Sequence, residues 1–165
     1  MMLADLEKKI LKTLVRQSIA EDLSGDIIEF TDDLKLIAYE TGAFVTLHLD
    51  GRLRGCIGLI ESDQPLYLTV YQMAKRAAFN DPRFLPLTLA EFANITIEIS
   101  VLTVPEPVHD VDTIVVGEHG LILSKGHQRG LLLPQVPLEW GWDRLTFLQQ
   151  TALKAGLQKD EWKDA

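Results

Sequence analysis

Apolar residues at Leu3, Leu6, Ile10, Leu14 and Ile19 recur at helical spacing with charged positions between them, which predicts an amphipathic helix at the start of the chain, closed at Gly25. Residues 26–41 are acidic and mixed, with room for a short helix over Leu34 to Tyr39. At Ala43 the pattern changes. Phe44-Val45-Thr46-Leu47-His48-Leu49 is rich in β-branched and aromatic residues and runs into Asp50-Gly51, so a strand, a two-residue hairpin turn and a return strand over Arg52–Gly58 are predicted. Leu66 to Phe79 returns to helical spacing and stops at Asn80-Asp81-Pro82; Leu87 to Glu91 allows one more turn. Ile95, Ile97, Ile99 and Val101 then alternate with Thr96, Glu98 and Ser100, the period of a strand with one buried face.

Beyond the Pro105 and Pro107 loop, Val115-Val116, Leu121–Ser124 and Arg129–Leu133 read as short strands. A final helix runs from about Asp143, its N-cap, to Ala155, with Gly156 as its stop. Short hairpins interleaved with separate helices predict an α+β fold with mostly antiparallel strands. No Pro/Gly/Ser-rich linker divides the chain, so residues 1–165 are expected to form one domain, with residues 1–41 as a helical part and residues 42–165 as the core.

The chain has 165 residues, 47% of them hydrophobic, and this length sustains a core without disulfides or a structural metal. Its single cysteine cannot form an internal bridge. The first residues are interrupted by Asp5 and Glu7, unlike a secretory signal, and no apolar run approaches the ~20 residues of a spanning helix. A cytoplasmic location and no membrane contact are expected. A formal net charge of −8 disfavours phosphate backbones, so no nucleic-acid partner is expected. That charge is uneven. Residues 1–41 sum to −4 and residues 88–165 to −5, while residues 42–87, with Arg52, Arg54, Lys75, Arg76 and Arg83, sum to +1. This segment reads either as chance surface variation or as a site for an anion or carboxylate.

Within it lie Arg54 and Cys56. Residues two apart on a strand share a face, so the guanidinium and the thiol are expected side by side, where a cation favours thiolate; the alternative is an inert cysteine packed as a small hydrophobe. Gly55 and Gly58 leave space for a ligand or a backbone to come close. Of four histidines, His119 in the Gly117-Glu118-His119-Gly120 turn is the best-placed proton carrier, or else a surface turn residue. His109, Asp110 and Asp112 share no geometry that would fix a metal, and His119 and His127 lack a third ligand, so no metal is predicted. Asn80, Asp81 and Arg83 supply further polar chemistry, as do Glu98 on its strand and Gln135 between Pro134 and Val136. Phosphate-binding, dinucleotide and hydrolase motifs and C-x-x-C are absent, and no cofactor is predicted.

Leu53-Arg54-Gly55-Cys56-Ile57-Gly58, preceded by Gly42-Ala43-Phe44-Val45-Thr46-Leu47, resembles the signature of the AMMECR domain family. Further blocks match it in order: Ala78–Phe84, Ile97–Leu102, Val116–Gly120, Arg129–Val136 and Trp142-Asp143. The resemblance implies two similar α/β halves around a mostly antiparallel, partly barrel-like sheet flanked by helices. It also implies membership of the AmmeMemoRadiSam system, as its A component, with a Memo-like protein and a radical SAM protein as partners. It places Arg54, Cys56, Asp81, Arg83, His119 and Gln135 in family motifs without assigning a catalyst among them. Many members carry a second cysteine where this chain has Ala152, so chemistry needing two thiols is not expected.

Two functional expectations follow. One is an enzyme-like or substrate-handling component whose cleft around LRGCIG acts on a small anionic or carboxylate substrate. There Cys56 is the nucleophile or thiol carrier, Arg54 the thiolate stabiliser or carboxylate clamp, His119 the proton carrier, and Asp81 and Arg83 orient. The other is a non-catalytic adaptor that binds a Memo-like or radical SAM partner through the same groove.

Overall fold

A computed structural model describes residues 4–25 and 27–164, so Leu3 of the predicted helical stripe lies outside the described residues. The chain divides between Val104 and Pro105 into two compact units, at the proline-bounded loop.

In the N-terminal unit, α1 (Asp5–Ser24) ends at Gly25, whose φ of 81° places it in the left-handed region. Its buried stripe is Leu11, Leu14, Val15, Ser18 and Ile19. Leu6, expected in that stripe, is exposed, because packing against the sheet and helices starts only at Ile10. The short helix α2 (Asp32–Lys35) begins before the expected Leu34, at two acids that suit a helix N-terminus. Strands β1 (Ala43–Leu49) and β2 (Arg52–Leu59) form the predicted hairpin. Asp50 at φ 51° and Gly51 at φ 73° make the mirror-image turn that a twisted two-residue hairpin requires. Helix α3 (Leu66–Phe79) spans the predicted residues. Helix α4 (Leu89–Phe92) starts at Thr88, whose side chain exchanges hydrogen bonds with Glu91 in a capping box. Strand β3 (Ile95–Val101) pairs with the free side of β1, giving an antiparallel sheet of order β2-β1-β3.

Along β1, Ala43, Val45 and Leu47 are buried and the residues between them are half-buried. Helices α1 and α3 cover the buried face, joining Leu11, Leu14, Ile19, Val70 and Met73 to those strand residues in one core. Residues 1–41 therefore belong to the same core as the hairpin. A partly exposed polar group holds the two helices: Lys75 Nζ lies 2.6 Å from Glu21 and 2.7 Å from Asp22, and Tyr71 donates to Glu21.

In the C-terminal unit, β4 (Leu121–Lys125) and β5 (Gln128–Leu132) form a second antiparallel hairpin, followed by α5 (Gln135–Trp140) and α6 (Arg144–Lys154). Ile114, Leu121, Phe147 and Leu148 make one buried cluster, and Leu123, Ala152, Ala155 and Leu157 a second. Asp143 caps α6 by accepting the Thr146 N–H at 2.8 Å, as its position predicts. Two features differ from expectation. Val115-Val116 is a turn, because the Val115 N–H donates to His119 Nδ1 and its carbonyl accepts from Glu118 and His119. Helix α5 forms despite Pro134 and Pro137, since both fall at the cap and first turn, where an N–H has no partner inside the helix.

The fold is thus α+β with antiparallel pairing, in two sheets neither of which closes into a barrel. Each unit repeats one device. The second strand of its hairpin carries Arg-Gly, at Arg54-Gly55 and Arg129-Gly130, and the glycine admits the end of a helix. A Cβ on Gly55 would run into the Ala77 carbonyl of α3, and one on Gly130 into the Ala155 backbone after α6. Gly55→Ala is therefore expected to cost about 2–3 kcal/mol, measured by urea denaturation, because the obstacle is backbone and cannot rotate away; substitution of the exposed Leu36 by Ala should stay within about 0.5 kcal/mol.

Candidate functional site

Strand β2 lies at the edge of its sheet, and at Cys56 that edge is closed by side chains. The Cys56 N–H donates to Asp81 Oδ2 at 2.9 Å, and its carbonyl accepts from Arg83 Nη2 at 3.1 Å. Asp81 in turn accepts from the Arg83 backbone N–H, from Nε at 2.9 Å and from Nη2 at 2.6 Å. The Asp81 side chain is only 2% exposed. Burial alone would raise its pKa, but the Arg83 guanidinium first, and then the Cys56 and Arg83 N–H groups, hold it far below the usual carboxylate range. The Arg83 pKa is raised, chiefly by Asp81 and with a smaller contribution from Cys56. The rigid Asp-Pro-Arg turn that ends α3 thus acts as a short substitute strand on the β2 edge.

Because both backbone groups of Cys56 point away from β1, Cys56 and its partner Thr46 form a non-hydrogen-bonded pair, the kind with the closer side chains. Thr46 Oγ1 donates to Cys56 Sγ at 3.2 Å. The next residue across, on β3, is Glu98. The half-buried thiol therefore heads a row Cys56–Thr46–Glu98, on the face opposite the one that α1 and α3 cover.

Arg54 does not take the place that simple alternation gives it. Leu47 pairs with Gly55 and His48 with Leu53, so Arg54 is the extra residue of a β-bulge. Its side chain turns to Glu91, with Nε and Nη2 at 2.9 and 3.0 Å from the two carboxylate oxygens, and to the Leu85 carbonyl at 3.0 Å. It is 12% exposed, and among the described residues its buried Nη1 finds no hydrogen-bond partner. Arg54 and Arg83 both lie over the Phe84 ring, at 5.8 and 5.5 Å. The guanidinium attached to Cys56 is that of Arg83, whose side chain is 51% exposed.

The remaining predicted residues are dispersed. Asn80 is the exposed C-cap of α3. Gln135 opens α5, and His119, exposed in its turn, uses Nδ1 to accept the Val115 N–H; both belong to the C-terminal unit. Gly55 admits the α3 backbone and Gly58 the Phe44 ring, so these spaces are already filled. Thr46 and Glu91 are site residues that the sequence reading does not single out. The Asp50-Gly51 turn could have identified Thr46, because a two-residue loop sets the register, although the bulge adds one residue to the count. Among the described residues, no three or more His, Cys, Asp or Glu side chains are grouped to hold a metal ion, and no helix is long and apolar enough to cross a membrane.

An α+β unit that clamps an Arg-Gly-Cys edge strand with an Asp-Pro-Arg turn is the arrangement to compare with known proteins. The chain belongs to the AMMECR1 family, whose model matches residues 12–165. It is 41% identical to Protein NEQ441 of Nanoarchaeum equitans over 162 residues, 93% of this chain and 90% of that one. A protein of Aquifex aeolicus is 46% identical over 160 residues, covering 92% and 82% of the two chains. The crystal structure of uncharacterized protein PH0010 from Pyrococcus horikoshii superposes with a TM-score of 0.86 at 42% identity, covering 93% of this chain and 81% of that one.

Arg54 first, then the Thr88 N–H, lowers the Glu91 pKa from 4.5 to about 2. Folding depresses this carboxyl, so its contribution is whole above about pH 4.5 and is lost as pH falls toward about 2. Urea denaturation across that range should show a loss on the order of 2–3 kcal/mol from this group. Glu91→Gln should be less stable at neutral pH and lose correspondingly less on acidification; equal slopes for both proteins would refute the assignment.

Proposed function

We propose that this chain is a thiol-dependent, substrate-handling protein that acts on a small anionic or carboxylate-bearing substrate at the outer face of the β2-β1-β3 sheet, with Cys56 as the reacting group. The observation that carries this reading is the convergence of donors on one residue. Thr46 donates to the Cys56 sulfur, while the buried Asp81 fixes the Cys56 backbone and holds Arg83 against it. A hydrogen-bond donor on the sulfur, with a cation held at the carbonyl of the same residue, is the kind of surrounding that thiol enzymes give a nucleophile or thiol carrier. Both guanidinium groups are paired with a carboxylate, and the anion contact falls to Arg83 because its side chain is half exposed while that of Arg54 is largely covered. Arg54 instead anchors the Leu85–Glu91 segment beside the strand.

In this reading the protein is the A component of an AmmeMemoRadiSam system and works with a Memo-like protein and a radical SAM protein in the cytoplasm. Its part is to hold or activate the substrate, since it supplies one thiol and no second cysteine. The same surface would meet those partners, so co-purification with them should weaken in Arg83→Ala.

Alkylation by iodoacetamide and by iodoacetate tests the site directly. At pH 7.5 Cys56 is expected to react severalfold faster than the cysteine of a short peptide, with the anionic reagent favoured more than it is by the peptide. Thr46→Val should slow both reagents, whereas Arg83→Gln should mainly remove the preference for iodoacetate. A wild-type thiol no faster than the peptide would end the reading of Cys56 as a reacting group.

A further inference from the structure

The face that carries Cys56 also carries a histidine, His48. Side chains alternate along β1, so Thr46 and His48 project to the same side. The register places Thr46 between Cys56 and Glu98, and His48, in the adjacent row, between Leu53 and Thr96. His48 is therefore diagonal to Cys56 on one neighbouring strand and to Glu98 on the other. In a regular ladder diagonal Cα atoms lie roughly 7–8 Å apart, a gap that an imidazole can span toward a thiol. His48 is half-buried, and among the described residues its ring makes no hydrogen bond or ion pair. His119, by contrast, has Nδ1 committed to its own turn. Thr46 holds the sulfur, but a hydroxyl does not take up a proton near neutral pH, whereas an imidazole does.

We propose that His48 is the proton carrier for Cys56. The proposal rests on the reading of Cys56 as the reacting thiol and adds the base which that reading lacks. A ring nitrogen of His48 takes the thiol proton, so S–H breaks and N–H forms. The sulfur keeps the electron pair and bonds to an electrophilic carbon, whose leaving group departs with its own pair and receives the proton back from the imidazolium. Nucleophile and base then come from two adjacent strands, β2 and β1, in the roles that thiol–imidazole pairs take on other folds. The titratable groups in the two rows around His48 are Cys56 from β2 and Glu98 from β3. Asp50 and Arg52 flank the hairpin turn, and Arg83 is the cation bound at Cys56.

The test follows alkylation of Cys56 by iodoacetamide, in which sulfur bonds to carbon and iodide leaves, from about pH 5 to 10. His48→Gln is expected to lower the rate at pH 7 roughly tenfold and to remove the limb of the pH profile near neutrality. His127→Gln, exposed in the β4–β5 turn, should match wild type. In His48→Ala, added imidazole should restore part of the rate, a recovery that a purely structural residue would not show; thermal melts check that each variant is folded. If wild type reacts fast and the His48→Gln profile superimposes on it, the assignment of His48 is wrong. So it is if His48→Ala is slow, keeps the neutral limb and does not respond to imidazole. A slow wild type overturns instead the reading of Cys56, so the two failures are told apart.

Discussion

The buried carboxylate of Asp81 is the constraint on which the site depends. A nearly inaccessible charge is costly unless its lone pairs are filled, and here four N–H groups fill them: one from Cys56 and three from Arg83. The same bonds do three jobs. They close an open sheet edge, fasten the end of α3 to β2 across 25 residues of sequence, and hold a guanidinium beside the only cysteine. Removing the carboxylate would leave Arg83 and the Cys56 N–H without their acceptor, so stability and site geometry are coupled at this residue.

Packing around the clamp leaves little freedom. Gly55 lets the α3 backbone rest directly on the strand beside Cys56, and the Phe84 ring meets both the Arg54 and the Arg83 guanidinium. Arg54 reaches forward from β2 to Leu85 and Glu91, while Arg83 reaches back to Cys56. The LRGCIG and DPRF segments therefore interlock. Both guanidinium groups are paired inside this lock, and Arg83 is the more exposed of the two.

One face of the hairpin sheet buries Ala43, Val45 and Leu47, and the other carries Cys56, Thr46, His48 and Glu98. A sheet fixes such a row by main-chain pairing, so the separations of these polar groups are set by the strands and not by mobile loops. The Arg54 bulge adjusts this register. It puts Leu53 rather than Arg54 opposite His48 and sends the arginine to the ion pair with Glu91.

Local patterning determined much of the fold. The spacing of apolar residues marked α1, α3, β3 and α6, and Asp50-Gly51, Gly25 and Asp143 marked ends that the structure keeps, because periodicity and backbone preference act over a few residues. Pattern misplaced Val115-Val116, where a histidine nitrogen captures the backbone N–H, and passed over α5, where prolines occupy positions that need no N–H. The order of motifs sufficed for the family, and alternation placed Cys56 and Glu98 on strands. Only the tertiary structure decided that Arg54 leaves the thiol, that Asp81 and Arg83 clamp it, and that Thr46 donates to its sulfur. Those outcomes depend on a bulge, a helix end and pairings between residues 10 to 37 positions apart, for which one-dimensional spacing carries no distance.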